Sequence, residues 1–460
     1  MDSAAPHATA ASATPKNDQG HQSVFSVIYN ARDQPVDVNA VLIHGVNHTR
    51  RSFLKYLATP IMEAETLGEM IEGTREAAAR MARFEIYTSV AAGLDMARGP
   101  LAREGSVDAQ LYVKERGRIT IKTGTEIGDV EGSLNGSFIY RNVFGGAERF
   151  EASASFGTRT SASFQTSLSA PIAADPDRII SINGYQTLRD NALYRSHDEM
   201  SRGVALRYDT YTSLGQHQLY YDLVWREVRR LGSKASLSVR QDAGHTLKSS
   251  IGHALVHDRR ELAEVPTSGY VMRLQNELAG FGGDIKFVKS EVEGQRLRRL
   301  GRGFSTSLTV RGGLILPLRE EERIRVNDRF LLGGPVSLRG FALHGVGPRD
   351  KRDAIGGDIY ASIGASLFTP LPKVDSERLK GHLFVNAGSL RVVPHEGLRS
   401  AKGRDMLRSM YRHASVSAGF GLVYWHSMAR FELNFCVPIA ASTGDRLHTG
   451  LQFGFGLHFL

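Results

Sequence analysis

The sequence predicts a transmembrane β-barrel preceded by a small α/β domain. Three observations carry that expectation. From Arg118 onward the chain reads as strand-length segments separated by turn residues, the best of them alternating one apolar face with one polar or glycine face. No run of eighteen or more apolar residues occurs anywhere, so no segment is long enough for a transmembrane helix. Between two long β-patterned regions lies Asp328–Phe341, DRFLLGGPVSLRGF, whose glycines, proline and central arginine suit neither a strand nor a helix.

Composition fits this class. A barrel strand turns only every second side chain to lipid, so a hydrophobic content of 41% and a mean hydropathy of −0.24 are compatible with a membrane protein. Gly is 48 of 460 residues, above the usual ~7%, as many tight turns and small lumen positions require.

Residues 1–35 are rich in Ala, Ser, Thr, Asn and His and read as a flexible tail. They lack a charged region followed by an apolar one, so no secretory signal is read there, nor an Arg-rich amphipathic presequence. A bacterial outer-membrane protein needs such a signal, so a eukaryotic organelle is expected. Residues 36–117 then read as one small domain: a strand over Val36–Ile43, a brief helix over Ser52–Leu57 ending before Pro60, and a longer helix over Thr66–Arg83. Two strands follow, Phe84–Asp95 and Val107–Glu115, around the breaker Arg98-Gly99-Pro100. The order β-α-α-β-β makes a complete α/β unit.

Residues 118–460 contain no helical pattern longer than two turns. They hold about sixteen or seventeen strand-length segments, depending on whether Lys234–Asp258 is broken at Gly244-His245. Three near the end are the clearest. Val416, Ala418, Phe420, Leu422 and Tyr424 share one face of the first, and Phe431, Leu433, Phe435 and Val437 one face of the second. In the third, Leu451, Phe453, Phe455, Leu457 and Phe459 alternate with Gln452, Gly454, Gly456 and His458. A soluble β-sandwich also alternates, but it would have to pack these faces into a core. Strands of about nine to eleven residues match a tilted bilayer crossing.

Other function classes are excluded by what the sequence lacks. One cysteine, Cys436, leaves no disulfide framework and no cysteine-based zinc cluster. His245, His253 and His257 stand in strand context without a carboxylate or cysteine at ligand spacing, so no metal and no cofactor are expected. There is no phosphate-binding loop and no nucleophile elbow, so an enzyme is not expected. The net charge of +9 is spread along strand-like positions rather than gathered on one face, which disfavours nucleic acid.

Beyond the barrel pattern, several segments carry a family resemblance: Trp225-Arg-Glu227, Ala243–Ala254, Asn276–Gly280, Phe368–Pro372, Phe384-Val-Asn-Ala-Gly388, Glu432–Pro438 and Thr443-Gly-Asp-Arg446. Together with Leu338-Arg339-Gly340-Phe341 they resemble the outer-membrane barrel-assembly superfamily, whose bacterial member is BamA. Within it the chain is most similar to the central barrel subunit family of the mitochondrial sorting and assembly machinery. The resemblance implies sixteen strands, which also fits a barrel whose two ends lie on one side of the membrane. It makes the N-terminal unit a single POTRA (polypeptide-transport-associated) domain in the intermembrane space.

The implied function is insertion of β-barrel precursors into the mitochondrial outer membrane by strand templating at a lateral gate. Expected partners are those precursors, accessory sorting-machinery subunits, membrane lipid and inner-membrane contact-site proteins. A passive polypeptide or solute pore and a contact-site scaffold are the alternatives. The resemblance places Leu338, Arg339, Gly340 and Phe341 in a loop folded into the lumen, its base shaped by Gly333 and Gly334. Many relatives pair that arginine with an aspartate in a Phe-x-Asp-x-Gly motif. Here the position is Asn386, so Asn386 and Glu432 are both candidate wall partners. The gate would join Ile119, Ile121 and Ile127 on the first strand to Gly454 and Gly456 on the last. Gln452, Gly454, Leu457 and Phe459 match the mitochondrial barrel sorting pattern.

Overall fold

The computed structural model describes residues 31–98, 103, 105–127, 132–158, 160–261, 267–319, 321–374, 376–394, 396–398, 400–426 and 429–456. The tail up to residue 30, with Leu457 and Phe459 of the sorting pattern, lies outside the described residues. Two compact units result. One ends at Gly117 and takes in Phe144–Ala147, and the other begins at Arg118.

In the first unit, β1 (Val38–His44) runs parallel to β3 (Val107–Glu115), which runs antiparallel to β2 (Tyr87–Met96), in the order β1-β3-β2. Helices α1 (Arg51–Met62) and α2 (Leu67–Arg83) lie between β1 and β2 in the chain. The Thr66 hydroxyl caps α2 by accepting from the Glu69 N–H at 3.2 Å, and Arg80 and Arg83 in its last turn complement the helix dipole. Each helix buries one stripe, Phe53, Leu57 and Ile61 on α1 and Met70, Ala77 and Met81 on α2.

The sequence ends the first helix before Pro60, whereas α1 continues to Met62 with Pro60 inside it. The ring forfeits one backbone hydrogen bond, but tertiary packing outweighs that loss. Ile61 is fully buried. The Pro60 carbonyl passes so close to α2 that a Cβ on Gly73 would lie 2.6 Å from it.

The second unit is one sixteen-stranded antiparallel sheet. Its first strands are β4 (Ile119–Ile127), β5 (Gly132–Arg141), β6 (Arg149–Gly157), β7 (Thr160–Ile172) and β8 (Asp175–Asp190). Then come β9 (Asp198–Thr212), β10 (Gly215–Arg229), β11 (Gly244–Asp258), β12 (Gly269–Gly283), β13 (Phe287–Gly301) and β14 (Phe304–Pro317). A long loop carries the small hairpin β15 (Arg349–Asp350) and β16 (Asp353–Ala354). The wall resumes with β17 (Ile359–Thr369), β18 (Leu379–Arg391), β19 (Ser415–Trp425), β20 (Arg430–Ala440) and β21 (Gly450–Gly456). Every strand pairs with its neighbour in the chain, β14 with β17 across the loop.

This wall is inside-out relative to a soluble protein. Along β20, Glu432, Asn434 and Cys436 are buried while Leu433, Phe435 and Val437 are 41–46% exposed. The same holds on β19, where Ser417 is buried and Phe420 is 59% exposed. A continuous apolar outer belt over a polar interior is what lipid outside and a hydrated lumen require, and it removes the sandwich alternative.

Several strands exceed the nine to eleven residues expected. β8 has 16 residues and β9 to β13 have 15 each, whereas β4 has 9. On β8 the extra length is the polar start Asp175-Pro-Asp-Arg178, which carries no alternating apolar face for a sequence reading to follow. Lys234–Asp258 divides into a short helix α4 (Leu237–Gln241) and the strand β11. A one-turn helix α3 (Ala192–Arg195) also lies in a connection. The expectation of no helix beyond two turns fails at α5 (Ala401–Arg412), 12 residues between β18 and β19. Ser400 caps it by accepting from the Gly403 N–H at 2.9 Å. Gly403 and Met410 are its buried residues; Met406, Leu407, Met410 and Tyr411 do stand at helical spacing, but so short a stripe among charges is overlooked in a β-patterned region.

Candidate functional site: the internal loop and the seam

The loop between β14 and β17 folds into the barrel, where Leu332, Leu338, Phe341 and Val346 are buried against Ile315, Tyr360 and Leu390 of the wall. Its base is fixed by charge. Arg226 on β10 forks onto Asp328, Nη1 donating to Oδ1 at 2.9 Å and Nη2 to Oδ2 at 3.0 Å, with both side chains buried. Lys289 donates to the Asp328 carbonyl at 3.0 Å and lies over the Phe330 ring. Arg329 pairs with Asp358 at 3.0 Å. Gly333 and Gly334 then turn the chain with φ of +111° and +113°, a region costly for any residue with a Cβ.

At the tip, Arg339 and Glu432 on β20 are both fully buried. The guanidinium donates from Nε to Oε2 at 2.8 Å and from Nη2 to Oε1 at 3.0 Å, a two-bond fork onto one carboxylate. Its carbon lies 5.1 Å above the Phe384 ring. The Asn386 amide lies against the same residue. In one orientation its oxygen is 3.4 Å from Nη1. Turned over, the oxygen accepts from the Arg339 backbone N–H at 3.3 Å while the nitrogen donates to the Val385 carbonyl at 3.2 Å. The second satisfies both ends of the amide and is the better assignment.

Glu432 has further partners. Arg430 pairs with it from the neighbouring position on the same face, and Asn434 donates to it at 2.7 Å. With its nitrogen so engaged, Asn434 presents oxygen to His382 Nδ1 at 2.9 Å, so that nitrogen carries the proton and Nε2 accepts from Ser366 at 2.9 Å. One carboxylate thus holds two arginines inside a buried polar network.

The tip is also stitched to the last hairpin. Gln452 on β21 accepts from the Gly340 N–H at 3.0 Å and donates to the Phe341 carbonyl at 3.1 Å. In the turn ahead of β21, Ala342 donates to Arg446 O at 3.0 Å, Arg446 to Gly345 O at 2.8 Å and His448 to Gly340 O at 2.9 Å. Asp445 accepts from the Gly347 N–H at 3.0 Å. Ser417 on β19 donates to the Arg339 carbonyl. Gly340 is needed here because its φ is +81° and a Cβ would sit 2.8 Å from Ser417 Cβ.

The opposite edge is different. Among the described residues β4 pairs with β5 alone, and no hydrogen bond joins it to the loop. Ile119 and Ile121 are 60% and 72% exposed. The side chain of Ile127 lies outside the described residues. On β21, Gly454 stands opposite Glu432 and Gly456 opposite Arg430. No register among the described residues joins β4 to β21.

Sequence reasoning did not single out Arg226, Asp328, Arg430 or Asp445 as loop anchors. Arg226 and Asp445 lie in the segments Trp225-Arg-Glu227 and Thr443-Gly-Asp-Arg446.

Residues 142–459 match the family model described as the Omp85 superfamily domain. The chain is 35% identical over 458 residues to a SAM50-like protein of Schizosaccharomyces pombe, covering 96% of this chain and 95% of that one. It is 32% identical over 436 residues to the sorting and assembly machinery component 50 homolog of Homo sapiens, covering 93% and 91%. Among solved structures it is similar to BamA from Haemophilus ducreyi lacking POTRA domains 1–3, with a TM-score of 0.75 at 17% identity over 91% of this chain and 84% of that one. This last likeness concerns the fold.

Proposed function

Because this chain belongs to the Omp85 superfamily and to its sorting and assembly machinery component 50 homologues, we propose that it folds β-barrel precursors and inserts them into the mitochondrial outer membrane. It resides in that membrane, with residues 36–117 as a POTRA domain in the intermembrane space and residues 118–460 as the barrel. Accessory subunits of the machinery bind it there.

The observation that carries the mechanism is the asymmetry of the seam. A strand entering lipid with unpaired amides costs several kcal/mol for each group. It can cross only by borrowing an edge that already presents N–H and C=O groups. β21 is tied to the internal loop through Gln452 and the preceding turn, so the last hairpin is the fixed side. Among the described residues β4 lacks such ties. It is the side that swings away and templates the client. The internal loop favours this reading over an open solute pore, since it packs an apolar cluster against the inner wall where a pore would hold water.

The test is site-specific crosslinking of an imported β-barrel precursor to single cysteines placed along Ile119–Ile127. Crosslinks should follow the precursor's last strand in one register, alternating with period two. Crosslinks that scatter along the precursor, or that are confined to the rim of the barrel, would refute templating by β4.

A further inference from the structure

We infer that the outer wall of the barrel holds a specific site for an anionic glycerophospholipid, built by Arg296 and Arg298 on β13 and an apolar trough across β14, β17 and β18. Both arginines are exposed and share the outward face with Val288 and Val292, which are 46% and 43% exposed. An outward arginine near the end of a barrel strand meets the headgroup layer, where an anionic lipid phosphate is its counter-charge. Elsewhere on the outward face Arg178 meets Asp175 at 3.4 Å, and Arg202 lies 5.4 Å over the Trp225 ring. Among the described residues the guanidinium groups of Arg296 and Arg298 have no hydrogen-bond or ion-pair partner.

The register explains the trough beside them. Arg296 stands opposite Leu308, Leu308 opposite Ala365, and Ala365 opposite Val385. Arg298 stands opposite Thr306, Thr306 opposite Leu367, and Leu367 opposite Leu383. The small Ala365 between Leu308 and Leu367 leaves an open groove of about 500 Å³, lined by these residues with the two arginines at one end. A groove of apolar side chains opening to lipid takes an acyl chain, and two guanidinium groups at its mouth take a phosphate through charge-assisted forks.

The depth is right for a headgroup. Tyr270 on β12 stands opposite Arg296 and is 47% exposed, as aromatic residues at the membrane interface are. β13 is the tenth strand of the wall, so in an antiparallel barrel its end lies on the side where β4 begins. The site therefore belongs to the leaflet facing the intermembrane space. This inference rests on the membrane reading of the wall but not on insertase activity.

The experiment is native mass spectrometry of the full chain released from mixed micelles of dioleoyl phosphatidylserine and dioleoyl phosphatidylcholine. The parent should retain phosphatidylserine selectively. Arg296→Gln with Arg298→Gln should lower its retention about thirtyfold, the effect of two basic side chains at an anionic leaflet. Ala365→Phe, which fills the trough on a face that already meets lipid, should lower it several-fold with both arginines intact. Arg178→Gln should leave retention unchanged, and inorganic phosphate should not displace the lipid. Equal retention by parent and double variant would overturn the site. Loss in the double variant with full retention in Ala365→Phe would also overturn it, reducing the effect to general attraction. Displacement by inorganic phosphate would show a bare anion site and overturn the lipid assignment.

Discussion

Replacing Arg339 by lysine separates a guanidinium fork from a mere positive charge. In the parent, Arg339 donates twice to Glu432, at 2.8 and 3.0 Å, and stacks 5.1 Å over Phe384. A lysine ammonium reaching the same carboxylate keeps one of these bonds. It loses one charge-assisted bond, roughly 1.5–3 kcal/mol, and much of a desolvated cation–π contact, roughly another 1 kcal/mol. The docked tip should therefore open about 60- to 700-fold more often, a tenfold change for each 1.4 kcal/mol. Arg339→Ala should cost at least as much. Its penalty stays toward the lower part of the ~3–5 kcal/mol expected for a broken buried pair, because Arg430 still neutralises Glu432. Hydrogen exchange of the Gly340 and Ala342 amides, both bonded in the docked loop, reads the opening directly in the full chain. Precursor insertion, normalised to the amount of barrel in the membrane, should fall in step. Exchange and insertion by Arg339→Lys equal to those of the parent would refute the argument from the fork.

Four further outcomes follow from the geometry. Gly340→Ala, at φ +81° with Ser417 Cβ 2.8 Å away, should loosen the tip by at least the ~1–2 kcal/mol of a left-handed residue, read by the same exchange. Gly444→Ala, at φ +95° with open space around it, should show the strain alone. Gln452→Leu removes both side-chain bonds to the loop, about 1–3 kcal/mol, and should raise exchange in β21 more than in β18. In the first unit, burial is the largest influence on Glu115 and pushes its carboxyl up. Hydrogen bonds from the Thr49 hydroxyl at 2.8 Å and from His48 outweigh it and hold the group below the ordinary carboxylate value. A depressed folded value means that this stabilisation is present above the unfolded carboxyl pKa of about 4.3 and lost as pH falls through the folded one. Exchange of β3 should rise on acidification in the parent, and Glu115→Gln should flatten that part of the profile.

The wall of this protein was legible because lipid imposes a period of two that survives strand by strand, as in Phe431–Val437. The POTRA order was legible because α2 carries both a cap at Thr66 and an apolar stripe. Pro60 and α5 were not. A proline inside a helix is decided by a helix crossing 13 residues away in sequence at Gly73, and the stripe of α5, Met406, Leu407, Met410 and Tyr411, spans less than two turns among charges. The tip motif marks Arg339, but whether Asn386 or Glu432 faces its guanidinium depends on how β18, β19 and β20 are registered. No local pattern encodes that register. The same holds for Gln452: read along the strand it is one polar residue among alternating ones, and only the folded loop turns it into an anchor.

The most direct test of strand templating is to close the seam. In a Cys436→Ala background, a cysteine at Ile121 is paired with one scanned over Leu451, Phe453 and Phe455, and the pair that oxidises to a disulfide is the one that closes β4 on β21. The oxidised barrel should stop inserting imported precursors while its POTRA unit stays folded, and reduction should restore insertion. Normal insertion by the oxidised barrel would contradict templating at this seam and place the work at the barrel's rim.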